Sequence, residues 1–259
     1  MLRPRIIPCL LIHNGGLVKT TRFTDPKYVG DPLNAVRIFN EKEVDELVVL
    51  DLDATPHNRE PDYALIRSLA AECRMPLCYG GGVRTVEQID RIVSLGVEKV
   101  AMSAAVAVDP ALVARAAAAV GGQSIVAVLD VKRTPKGTYD CVTHRGTRST
   151  GRDPVRFARE LEQQGCGEIV LNAVDRDGVM QGYDLELVAS VRDAVNVPIT
   201  VLGGAGSLQH LTGLFERFGI LGAAAGSLFV FKGIYRAVLI NYPNRVERER
   251  VLAGAQNSA

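Results

Sequence analysis

Short apolar runs rich in β-branched residues recur along the chain, separated by stretches in which apolar residues return every three or four positions. The runs begin near Arg5 (RIIPCLLI), Glu46 (ELVVLD), Pro76 (PLCYGG), Glu98 (EKVAMS), Ser124 (SIVAVLD), Gly167 (GEIVLNAVD), Pro198 (PITVLGG) and Leu221 (LGAAAGS). Most are continuously apolar instead of alternating, as in strands covered on both faces, and this favours a parallel sheet. Between them Pro61 to Cys73, Thr85 to Leu95, Pro110 to Ala119, Asp153 to Gln164 and Asp184 to Ala194 show helical spacing. Alternation of the two element types predicts β-α-β units.

An internal repeat predicts how the sheet ends. Glu46 to Pro76 spans thirty positions, as does Glu168 to Pro198, an offset of about 122 residues. Gly80-Gly81-Gly82 answers Gly203-Gly204-Ala205-Gly206, and Ser103 answers Ser227. Even the long insertions match, a loop from His13 to Gly30 after the first strand and one from Lys132 to Gly151 after the fifth. Two four-stranded halves, about 1–122 and 123–245, close naturally into a single (β/α)8 TIM barrel spanning 1–259, with 246–259 left as a C-terminal tail.

Composition agrees and excludes alternatives. The 259 residues are 47% hydrophobic and 23% charged, enough to build a large core. Thirty basic against 29 acidic residues give a net charge of +1, which argues against bulk attraction to nucleic acid or a membrane. No apolar run reaches bilayer length, and a cytoplasmic location is expected. Five cysteines without a C-x-x-C pair read as reduced core thiols, and no spacing implies a metal or an organic cofactor.

In such a barrel the chemistry sits at the carboxyl ends of the strands. The Gly80-Gly81-Gly82 turn and the Gly203-Gly204 turn with Gly206, each followed by a small-residue strand end at Ser103 and Ser227, are candidates to cradle two phosphate groups by their backbone N–H groups. Asp130 ends an apolar strand, where desolvation raises a carboxyl pKa toward working pH, and is the leading acid/base candidate. Asp51, Asp53, Asp175 and Asp177 are further carboxylates at strand ends, and Lys19 is a candidate loop cation for phosphate. At the opposite ends Arg5, Glu46, Lys99 and Glu168 begin four strands and form a ring of two cations and two anions, read from spacing alone as a salt-bridge layer.

The motifs RIIPCL, LDLDAT at 50–55, YGGGV at 79–83, AVLDVKR at 127–133, DRDGVMQGYD at 175–184 and VLGGAG at 201–206 resemble the cyclase (HisF-type) subunit of imidazole glycerol phosphate synthase over nearly the whole chain. The resemblance implies a barrel that receives ammonia from a HisH-like glutaminase docked on its amino face. There Arg5, Glu46, Lys99 and Glu168 match the gate. It also implies cleavage and ring closure of a bisphosphorylated ribulosyl intermediate at the other face, with Lys19, Gly82, Asp177, Gly178, Gly203, Gly204 and Ser227 at the phosphates.

This chain departs from that pattern at the mouth. Leu11 stands where the family's first catalytic aspartate belongs, leaving Asp130 without its partner. Ser103-Ala104 replaces an Asn-Thr pair, Asn172 a threonine and Leu202 a serine, Ser103 and Asn172 still counting as substrate-side candidates. A changed mouth with an unchanged gate resembles the paralogues associated with amidation of surface-polysaccharide sugars. These imply ammonia delivery to a phosphorylated sugar or nucleotide sugar with the help of an ATP-dependent amidotransferase-type enzyme. The histidine-pathway cyclase and a noncatalytic, glutaminase-activating ammonia conduit stand as the alternatives.

Overall fold

In the computed structural model, which describes residues 3–255, eight parallel strands form the centre: β1 (Arg5–His13), β2 (Leu47–Asp51), β3 (Leu77–Gly80), β4 (Lys99–Met102), β5 (Ile125–Arg133), β6 (Glu168–Ala173), β7 (Ile199–Leu202) and β8 (Gly222–Ala225). Each pairs with the next in chain order. The pairing of β8 with β1, Arg5 opposite Gly222, closes the sheet. The fold is a (β/α)8 barrel.

Eight helices wrap the strands: α1 (Pro32–Glu41), α2 (Tyr63–Glu72), α3 (Val86–Ser94), α4 (Ala111–Val120), α5 (Pro154–Gln163), α6 (Leu185–Arg192), α7 (Leu208–Phe218) and α8 (Arg245–Ala253). Most begin on a side-chain cap: Asp31, Asp62, Asp153 and Asp184 each accept an N–H of the first turn, and Thr85 forms a capping box with Gln88. Such caps satisfy backbone donors that have no partner inside the helix.

The period of two along each strand sorts the core into two clusters. One set of side chains, among them Ile6, Leu10, Val49 and Tyr79, packs outward with the helices. The alternate set, Ile7, Cys9, Leu11, Val48, Cys78, Ala101, Val126, Val128, Val170, Leu202 and Ala224, fills the barrel. That interior is wholly apolar between its two ends.

Three expectations need correction. The segment from His13 to Gly30 is not a loop: Gly16–Thr21 folds back on β1 and pairs with Thr24–Gly30 as an antiparallel hairpin. After β5, Tyr139–Thr143 pairs with the strand's own end and then with Arg148–Ser149. The proposed tail is helix α8 through Ala253, started by an Asn244–Glu247 capping box, packed against α7 and anchored by buried Val251. Its charge density hid one buried stripe. Two single-turn helices, Ala104–Val108 and Ser227–Val230, follow β4 and β8. No helix among the described residues is long and apolar enough to cross a membrane.

Candidate functional site

The two ends of the barrel hold the polar chemistry. At the amino end, β1, β2, β4 and β6 bring Arg5, Glu46, Lys99 and Glu168 into one closed circuit. Arg5 donates to Glu46 and, at 2.8 Å, to Glu168. The Lys99 ammonium lies 2.8 Å from both carboxylates. Two positive and two negative charges cancel, which is what makes burying them tolerable. Burial alone would raise the carboxyl pKa of Glu168, yet Arg5 and Lys99 outweigh it and hold it below the ordinary value. Burial likewise opposes the charge on Lys99, and Glu168 and Glu46 more than restore it. Thr200, which sequence reasoning missed, completes the circuit by donating its hydroxyl to Glu168 at 2.5 Å. Its signal was a lone polar residue at the start of an otherwise apolar strand.

At the carboxyl end lies a cavity of about 430 Å³. Asp130, Ser103 and Asn172 reach it from the ends of β5, β4 and β6, and Gly82, Gly203, Gly204 and Ser227 reach it from the turns. Lys19, Asp177 and Gly178 complete the predicted set around the same cavity. Asp130 accepts from Asn172 Nδ2 at 2.8 Å and from Ser103 Oγ at 3.1 Å. Burial drives its carboxyl pKa up to about 6; the two hydrogen bonds work against that rise, and Asp177 adds to it.

The glycine turns are shaped for close backbone approach. Gly204 has φ +112°, and a Cβ there would sit 2.1 Å from the carbonyl oxygen of Gly182. The Gly82 N–H points at Thr55 Oγ1, 3.3 Å away. Lys19 is not a mobile loop cation but a buried strand residue, 4% exposed, in the first hairpin. Its ammonium donates to the Cys9 carbonyl and lies 2.8 Å from where a Cβ on Gly226 would be, beside Ser227. Burial lowers its pKa against the pull of Cys9 and Asp177.

Asp177 and Gly178 serve the hairpin directly. Asp177 accepts from Thr20 Oγ1 at 2.7 Å and from the Phe23 N–H at 3.2 Å. Gly178 brings its backbone so near Thr20 that a Cβ would sit 2.0 Å from the Thr20 carbonyl oxygen. The remaining strand-end carboxylates all accept local hydrogen bonds, and Asp51 among them also lines the cavity. Asp51 caps its own turn by accepting from Asp53 and Ala54 N–H groups. Asp53 pairs with His13 at 2.6 Å, and Asp175 accepts from the Arg133 N–H. Leu11 lines the cavity where β1 ends, among Val128 and Leu202 in the same apolar cluster. Sequence reasoning also missed Phe23, His144 and Arg145, which the two hairpins bring to the cavity wall. Reading the insertions as loops concealed them.

A closed barrel with a paired ionic ring at one end and a desolvated carboxyl between glycine turns at the other is of the class that family comparison then identifies. Residues 5–235 match the family model described as "Histidine biosynthesis protein", and the chain belongs to that family. A protein of Vibrio vulnificus, provisionally described as imidazole glycerol phosphate synthase subunit hisF3, is 54% identical over 253 residues, covering 97% of each chain. One from Leptospira interrogans, with a similar provisional description, is 54% identical over 96% of this chain and 98% of its own. The imidazole glycerol phosphate synthase subunit HisF of Streptomyces coelicolor is 40% identical over 89% of this chain and 91% of its own. Within its family the chain is therefore HisF-like.

Proposed function

We propose that this chain is the cytoplasmic synthase subunit of a glutaminase-linked complex. Ammonia enters at the ring of Arg5, Glu46, Lys99 and Glu168, below which the HisH-like glutaminase docks, and is used at the carboxyl mouth on a substrate with two phosphates. The observation that carries this reading is the apolar interior joining a self-neutralised ring to a desolvated acid/base group, Asp130. Apolar walls let neutral ammonia pass and exclude ions. Gly82 marks one phosphate end; Gly203, Gly204, Ser227 and Lys19 mark the other, and Asp177 and Gly178 fix the hairpin that carries Lys19.

The relatives' names favour imidazole glycerol phosphate formation, in which the bisphosphorylated ribulosyl intermediate of histidine biosynthesis is cleaved and cyclised. The test is turnover of that intermediate with ammonium salts. Loss of substrate at a rate ordinary for a cyclase supports it; no turnover sinks it.

Leu11 favours a second reading. A leucine can neither give nor take a proton, and the absence of one of two acid/base groups costs on the order of 10² to 10⁴ in rate. Ammonia would then serve a different acceptor, a phosphorylated sugar or nucleotide sugar of surface-polysaccharide synthesis, with an ATP-dependent amidotransferase-type enzyme as a further partner. Under this reading the wild type leaves the ribulosyl substrate intact and Leu11→Asp gains turnover. A noncatalytic conduit predicts instead that Asp130→Asn leaves amidation of the final acceptor unchanged.

A further inference from the structure

Asn172 lies directly opposite Asp130 in the β5–β6 register, and Ser103 follows the end of β4 on the other side. Each oxygen of the carboxylate takes one donor, Oδ1 from Asn172 and Oδ2 from Ser103. Asn172 is 3% exposed, and its own Oδ1 is buried with no hydrogen-bond partner among the described residues. An unpaired buried carbonyl costs roughly 1–3 kcal/mol, so something stronger turns this amide. The ionised Asp130 does so: it can only accept, and the opposite amide orientation would set two oxygens against each other.

We infer that Asn172 and Ser103 are positioning residues, not phosphate contacts: together they aim both oxygens of Asp130 and hold it as a carboxylate that can take a proton at neutral pH. The inference rests on the reading of Asp130 as the acid/base group. With Leu11 at the end of β1, Asp130 has no carboxylate partner there to share a proton, so its charge state depends on what touches it. The titratable groups close enough to couple with it are Asp177 from beyond β6, Cys9 from β1 and Cys141 from the hairpin after β5. Lys19 faces Cys9 and Asp177 behind them. Both thiols stay neutral, since burial lifts Cys9 to about 11 and Cys141 to about 12. Among these neighbours the Asn172 and Ser103 donors are the contacts that directly favour the ionised form.

The test is a carboxyl ¹³C NMR titration of Asp130 in the full chain, run beside a pH–rate profile with whichever acceptor the wild type consumes. The wild-type midpoint is expected near about 6. Asn172→Leu moves it up by roughly one unit and Ser103→Ala by about half a unit, while Ser103→Thr, which keeps the hydroxyl, restores it. Asn172→Asp moves it furthest, because a second carboxylate then faces the first. The acid limb of kcat follows each midpoint, with KM for the phosphorylated substrate unchanged. An unmoved midpoint with a raised KM makes the two residues substrate contacts and overturns the inference. The Ser103 pair decides the matter even if Asn172→Leu fails to fold. Full activity of Asp130→Asn would instead remove the functional reading, while the titration still judges the positioning.

Discussion

The amino and carboxyl ends of this barrel bury charge in opposite ways. In the ring every charged group meets an opposite one, Arg5 and Lys99 each touching both Glu46 and Glu168. In the mouth Asp130 is desolvated with only neutral donors, and Lys19 sits buried on a backbone carbonyl. The first arrangement is electrostatically complete. The second is short of counter-charge, and a substrate with phosphates at Lys19 and a transferable proton at Asp130 would complete it. Satisfied charge suits a part that holds its shape, and unsatisfied charge marks the mouth as the candidate site.

Removing one member of the ring should break this comparison most severely. Glu168→Ala leaves two cations facing one carboxylate, and denaturant unfolding is expected to show a loss of about 3–5 kcal/mol. The native pKa of Glu168 is depressed, so its stabilisation is present above the unfolded value, near about 4.3, and disappears as pH falls through the native value. An acid transition unaffected by Glu168→Gln would contradict that account.

Asp130→Asn should act with the opposite sign on stability. A carboxyl raised to about 6 favours the folded state below its unfolded pKa, and that advantage is lost as pH rises through 6. The variant is therefore expected to be more stable than wild type by about 3 kcal/mol in mild alkali, with no difference in strong acid, while turnover falls by about 10² or more. Equal stability at both pH values would place Asp130 in the satisfied class.

The smallest effect is expected at Lys19. Lys19→Met removes a buried, poorly paired charge and should hold or raise stability by about 1 kcal/mol. It should nonetheless weaken phosphate binding, seen as a higher KM with kcat little changed. A destabilised variant with unchanged KM would make Lys19 a structural tie between the hairpin and Cys9.

Much of this was legible in the sequence, because the signals were local or periodic. Runs such as ITVL and IVAVLD announce strands buried on both faces, and the spacing of Arg5, Glu46, Lys99 and Glu168 places them at strand starts. The hairpins were not legible: KTTRFTDPKY is polar and breaks alternation, so its pairing depends on contacts with Asp177 and Gly178, which lie more than 150 positions away. The hydrogen bonds of Asp130 were hidden for a related reason. The register that sets Ser103 and Asn172 beside one carboxylate joins neighbouring strands, and no single strand displays it.

The alternation along β1 has an evolutionary corollary. Leu10 and Ile12 belong to the helix-packed shell, whereas Leu11 between them belongs to the lumen. A change of side chain at position 11 therefore alters the lining of the mouth while leaving the outer packing of β1 in place. Because such positions are separated from the helix-facing core, the lumen of a barrel of this kind can change side chain by side chain while the fold persists.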